Sequence, residues 1–138
     1  MTQPLVVFFD EAECWEHLHS QSFGRIALST DGRIVVTPIR YIILGGKFYF
    51  QMVSREKLTS IVISRIATLE IDGADGDGAL KAVTARGTAH WHTHELKIAE
   101  LDAVRFGSVP DDMNWVEFVP ESVSGYLLVP QATGEEQR

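Results

Sequence analysis

The chain of 138 residues carries 19 Asp and Glu against 12 Lys and Arg, a net charge of −7. That balance disfavours a nucleic-acid or anionic-membrane surface, because both partners are polyanions. The length suits one domain, residues 1–138, and the single cysteine, Cys14, excludes a disulfide-stapled scaffold.

No stretch approaches the ~20 apolar residues of a membrane span. The opening Met1–Phe9 lacks the basic region and the long apolar run of a signal peptide. A cytoplasmic protein is expected, with its ordered core from about residue 5 to about residue 130 and a flexible polar tail over 131–138.

Asp10-Glu11-Ala12-Glu13 predicts a capping box that opens a helix, with Cys14, Trp15 and Leu18 on its apolar face. Gly24–Ser29 reads as a strand, and Asp31-Gly32 as a hairpin turn, since both residues tolerate φ > 0. Arg33–Leu44 reads as one long strand, edged or bent at Pro38, which has no N–H for a ladder. Gly45-Gly46 predicts a second tight turn before a strand over Lys47–Val53. Ser54 then caps a helix to Arg65, with Leu58, Ile61, Val62 and Arg65 on one face. Ile66–Asp72 and Leu80–His92 are strands around a Gly/Asp loop, and Glu95–Phe106 reads as a helix stopped by Gly107. Trp115–Val119 and Tyr126–Val129 are two strands joined around Pro120 and Gly125. About seven strands and three short helices result. Antiparallel strands joined by two-residue turns close most readily into a barrel.

Three features invite a chemical reading. His90, His92 and His94 share one strand face, but Trp91 takes the core parity, so the histidines form an exposed stripe and no metal site is expected. Asp72–Gly78 lacks the ligand register of a calcium loop. Cys14 sits at apolar helical spacing with no adjacent base, as a packed thiol does. No GxSxG, P-loop, HExxH or CxxC pattern occurs.

In order along the chain stand Glu13-Cys14-Trp15-Glu16, Gly24-Arg25-Ile26-Ala27, Pro38-Ile39-Arg40-Tyr41, Phe50 followed by Lys57-Leu58, and Leu69-Glu70-Ile71-Asp72. Arg86-Gly87-Thr88-Ala89 and the run from Trp115 through Pro120 to Val123-Ser124-Gly125 follow. This series resembles the pyridoxamine 5′-phosphate oxidase-like, flavin-binding split-barrel family over roughly residues 10–128. The resemblance implies a mostly β fold with short helices, a split β-barrel of antiparallel Greek-key type. It also implies a homodimer with FMN in clefts between subunits and a small-molecule substrate. The cofactor-contacting candidates are then Ile39, Arg40, Tyr41, Gln51, Met52, Val53, Arg55 and Lys57, with Trp115 stacking from a second copy. Ser54, Arg55 and Lys57, at a strand-to-helix junction, suit a phosphate, which needs basic side chains and helix N–H groups.

The chain departs from the family pattern at that junction. Gln51-Met52 stands where flavin-binding relatives carry an Arg-Thr pair, and Arg55-Glu56 where they tend to carry Gly-Thr. The expectation is an FMN-dependent oxidoreductase of unknown substrate. The alternatives are a reductase using a deazaflavin coenzyme, or a non-catalytic split barrel that binds a ligand and has lost FMN. No residue stands out as a general acid or base.

Overall fold

The computed structural model describes residues 5–52, 54–74, 76–92, 99–104 and 114–130, with Arg55, Asp102 and Ala103 described by their backbone alone. Eight strands make one antiparallel sheet: β1 (Leu5–Phe8), β2 (Phe23–Thr30), β3 (Arg33–Arg40), β4 (Ile42–Leu44), β5 (Lys47–Gln51), β6 (Ile66–Ala74), β7 (Leu80–His92) and β8 (Trp115–Val129). Two helices accompany them, α1 (Glu11–Ser20) and α2 (Arg55–Ser64), together with a 3₁₀ turn over Ala99–Val104. The lateral order is β3-β2-β6-β7-β8-β5-β4, and β1 pairs with the far end of β8.

Local chemistry accounts for the turns. Asp31-Gly32 adopts φ of 49° and 73°, and Gly45-Gly46 adopts 58° and 77°; two successive positive values define the turn whose twist matches flanking strands. The capping box of α1 forms in full. The Glu13 N–H donates to Asp10 Oδ1 at 2.8 Å, and the Asp10 N–H donates to Glu13 Oε1 at 3.0 Å. Ser54 caps α2 as expected. Arg65, expected on the helical face, instead ends α2 in the left-handed region at φ 63°, where its N–H donates to the Ile61 carbonyl.

The segment Arg33–Leu44 is not one strand but two, broken at Tyr41. The break closes the fold: β3 is one end of the sheet order and β4 is the other, so a single bent segment belongs to both ends. Tyr41 pins the corner. Its N–H donates to the Ser22 carbonyl at 2.9 Å, and its hydroxyl donates to the Leu18 carbonyl at 2.7 Å. Beyond the corner, no ladder joins β3 to β5 among the described residues. That gap is the split in the barrel.

Trp115–Val119 and Tyr126–Val129 prove to be parts of the 15-residue β8, which pairs β7 along one side and β5, then β1, along the other. Between the Arg86–Ser122 and Gly87–Pro120 rungs β8 carries one extra residue, Glu121, a bulge beside the proline through which the strand runs on. The expected helix Glu95–Phe106 is seen only as the 3₁₀ turn, its other positions lying outside the described residues.

The inward faces of β2, β6 and β7 meet Cys14 and Leu18 of α1 and Leu58 and Ile61 of α2 in the main core. Phe48 is its centre, with ring centroids 5.8 Å from Trp15, 5.2 Å from Tyr41 and 5.7 Å from Phe118. Tyr49, on the opposite face of β5, joins Leu101, Val104 and Trp115 in a smaller cluster. β5 is therefore covered on both faces. Among the described residues no helix is long and apolar enough to cross a membrane.

Candidate functional site

A narrow cleft of about 60 Å³ occupies the split, lined by Thr37, Pro38 and Ile39 of β3, Gln51 and Met52 at the end of β5, and Ser54 and Lys57 at the start of α2. Four of these positions belong to the sequence-derived candidate set: Ile39, Gln51, Met52 and Lys57. Its floor is rigid. Gln51 and Met52 are 1% and 4% exposed. The Gln51 amide donates to Asn114 Oδ1 at 3.2 Å, and the Met52 N–H donates to the Asn114 carbonyl at 3.0 Å. Asn114 was missed by sequence reasoning. It lies some sixty positions from Gln51, directly before β8, and only the pairing of β5 with β8 brings it here.

The rim is cationic. Among the described residues that line the cleft, Lys57 alone has a charged side chain. Among the described residues Lys57 has no carboxylate partner, whereas Arg25 spends its charge on Glu70 at 3.1 Å and Asp72 at 2.6 Å. Glu56, one residue earlier, lies on another flank of α2. It lines a groove with Ser29, Thr30, Asp31, Thr59, Ser60 and Ile63. Successive residues of a helix are rotated by about 100°, which separates the adjacent carboxylate and ammonium. The first turn of α2 borders the cleft through Ser54 and Lys57, so the positive end of the helix dipole adds to the same field.

The remaining candidates fall elsewhere or outside the described residues. Arg40 and Tyr41 line a second cavity, about 290 Å³, on the other side of the corner. Arg40 lies with its guanidinium carbon 5.7 Å from the Phe23 ring centroid. Burial raises the Tyr41 phenol far above its ordinary range, so it stays protonated. Trp115 is fully buried in the smaller core cluster of its own chain. Val53 and the side chain of Arg55 lie outside the described residues.

Other titratable groups are structural. Burial, reinforced by Asp10, Glu13 and Glu11, raises the Cys14 thiol, which holds it neutral. Burial and the hydrogen bond to Glu117 at 2.9 Å push the Tyr49 phenol up to about 12. His90 Nε2 lies 3.1 Å from Thr88 Oγ1, and His92 Nε2 3.6 Å from Glu117, while His94 lies outside the described residues.

Lysine, hydroxyls and the first turn of α2 stand at one end of the cleft, with the apolar Pro38-Ile39 stretch beside them, a chemistry that suits an anion such as phosphate. The volume of the cleft is well under the roughly 300–1,000 Å³ of a complete small-molecule pocket.

The family model described as pyridoxamine 5′-phosphate oxidase matches residues 10–126. Three solved structures are similar. A candidate pyridoxamine 5′-phosphate oxidase from Corynebacterium glutamicum is 26% identical with a TM-score of 0.73, covering 91% of this chain and all of that one. The FAD-binding protein from Mycobacterium smegmatis is 24% identical with a TM-score of 0.65, over 89% of this chain and 98% of that one. A FAD-binding protein from Mesorhizobium loti is 19% identical with a TM-score of 0.72, over the same shares. None of the curated proteins matches the chain.

Proposed function

Because the chain belongs to the pyridoxamine 5′-phosphate oxidase family, we propose that it is a flavin-dependent oxidoreductase with its cofactor in the split between β3 and β5. The observation that carries this reading is the division of charge on α2: Lys57 on the cleft, Glu56 on another flank. FMN is the proposed cofactor. FAD shares the same flavin and first phosphate, and a deazaflavin coenzyme needs the same two features.

In this reading Lys57, the Ser54 hydroxyl and the first turn of α2 hold the phosphate, while Pro38 and Ile39 lie against the ring. Gln51 and Met52, fixed by Asn114, form a dry floor. The bound flavin supplies the electron transfer, and the protein supplies orientation and exclusion of water. The family's Arg-Thr pair is replaced here by that neutral, anchored floor. Phosphate binding therefore rests on Lys57, the helix and whatever the side chain of Arg55 adds.

The small volume of the cleft supports a homodimer, since a second copy supplies the missing wall. One sheet face suits that role. Phe23, Ile34, Val36 and Ile66 are 65%, 78%, 57% and 70% exposed. Strand register puts all four on the outer side of β2, β3 and β6, beside the cleft strand. Exposed apolar patches of this kind mark association surfaces. At their centre Arg25 bridges Glu70 and Asp72, so these three charges are paired with one another.

Ile34→Glu is expected to convert the dimer into a 15.4 kDa monomer in light scattering, and to lose FMN affinity with it. A monomeric parent would remove the shared cleft. A variant that stays dimeric would move the interface to another face.

A further inference from the structure

We propose that association of two copies takes up protons at the Arg25–Glu70–Asp72 cluster, so that the dimer tightens as pH falls and loosens as pH rises. The inference rests on the association face proposed above and adds its regulation.

Two carboxylates meet one guanidinium at the centre of that face. Arg25 Nη1 lies 3.1 Å from Glu70 Oε1 and 2.6 Å from Asp72 Oδ2. With all three groups ionised, one negative charge per copy is left over. Strand register defines what surrounds it. Arg25 stands on one rung with Pro38 of β3 and Glu70 of β6, and Glu70 pairs onward with Thr84 of β7. Along β6, Glu70 has Thr68 on one side and Asp72 on the other, because alternate residues share a face. Arg86 of β7 stands opposite Thr68, diagonal to Glu70. Arg40 of β3 lies over the Phe23 ring. Among the described residues, the ion pairs of both carboxylates are to Arg25 alone.

The cluster has a place for a proton. Burial raises the Glu70 carboxyl and a hydrogen bond with Asp72 adds to the rise, whereas Asp72 is held low by that bond and by Arg25. Asp72 therefore keeps the ion pair, and Glu70 is the group that takes the proton. In the single chain the Glu70 side chain is still 38% exposed, so water solvates its charged form.

Association changes that balance. The exposed apolar Phe23, Ile34, Val36 and Ile66 share the face with the cluster, and an isologous contact presents the same patch from both copies. Removing water from the cluster favours the neutral carboxyl and raises Glu70 further. The dimer then binds more protons than two free copies. It strengthens as pH falls through the Glu70 range and weakens as pH rises through it. With Glu70 protonated the cluster is neutral, one guanidinium against one carboxylate.

The test is sedimentation of the full chain over a concentration series at about pH 5.5 and about pH 8, at one ionic strength. The dimer dissociation constant should be at least tenfold larger at the higher pH, and a smaller change overturns the proposal. Glu70→Gln, a permanently neutral stand-in for the protonated carboxyl, should keep the tighter constant at both values, within twofold. Asp72→Asn leaves Arg25 a single carboxylate, so Glu70 stays ionised against it and the pH response should also be lost. Histidines titrate in the same window and are unchanged in both variants. A parent-like response in Glu70→Gln would assign the effect to them and overturn the proposal. Ile34→Glu separates the two readings. If it is monomeric while the parent is dimeric without a pH response, the face stands and the proton linkage falls. A parent that is monomeric at both values, or an Ile34→Glu that stays dimeric, removes the face and the linkage with it.

Discussion

Gly87→Ala is expected to cost about 3 kcal/mol of stability, the upper end for forcing an extra carbon into a packed site, and to lower Tm by about 10 °C. Gly87 sits opposite Pro120, where β8 carries the bulge. A Cβ there would lie 2.0 Å from the Val119 carbonyl oxygen, 2.8 Å from Pro120 Cα and 2.9 Å from the Val119 carbonyl carbon. All three are backbone atoms, so no side-chain rotation relieves the clash and the two central strands must part. β8 also carries β5 and β1, and the disturbance reaches the strand that ends at the cleft floor. Gly73→Ala is the control: a Cβ at Gly73 meets nothing within 4 Å. Thermal unfolding should place that variant within a few degrees of the parent. Equal Tm for both variants would show that the bulge adapts, against the packing described here.

Lys57→Ala is expected to weaken FMN binding about 10- to 100-fold, the range for a charge-assisted hydrogen bond to a phosphate. Three comparisons make this a statement about phosphate rather than folding. Riboflavin, which has no phosphate, should bind parent and variant alike. Glu56→Ala should change FMN affinity less than threefold, because Glu56 lines the groove on another flank of α2. Thermal stability should hold, since the Lys57 side chain is only half-buried and makes no ion pair among the described residues. If the variant binds FMN as the parent does, Lys57 leaves the phosphate site.

Much of the fold was legible because its signals are local. Two-residue turns at Asp31-Gly32 and Gly45-Gly46 need only backbone chemistry, and the caps at Asp10 and Ser54 need only residues three positions apart. What stayed hidden depends on distant partners. β1 has no alternation to read, because all four of its residues are exposed, and its one partner lies some 120 positions away in β8. The unity of β8 rests on its own bulge at Glu121, which is visible only in its register with β7. The corner at Tyr41 depends on carbonyls from the end of α1.

The candidate cleft was legible only in part. Family resemblance drew attention to Ile39, Gln51, Met52 and Lys57, and the split brings these four together. Adjacent letters in the sequence made Glu56 look like a defect in a phosphate cradle, yet helical rotation gives it a separate groove. Asn114 carried no motif, and its role is visible only where its side chain and carbonyl hold the floor.

The most direct test of the flavin reading is equilibrium dialysis of the purified parent protein against FMN, followed by its visible spectrum. The predicted result is saturable retention of one FMN per chain, with a flavin band that persists after removal of free ligand. A protein that stays colourless, and likewise retains neither FAD nor a deazaflavin coenzyme, would contradict the account and leave a split barrel that binds some other ligand.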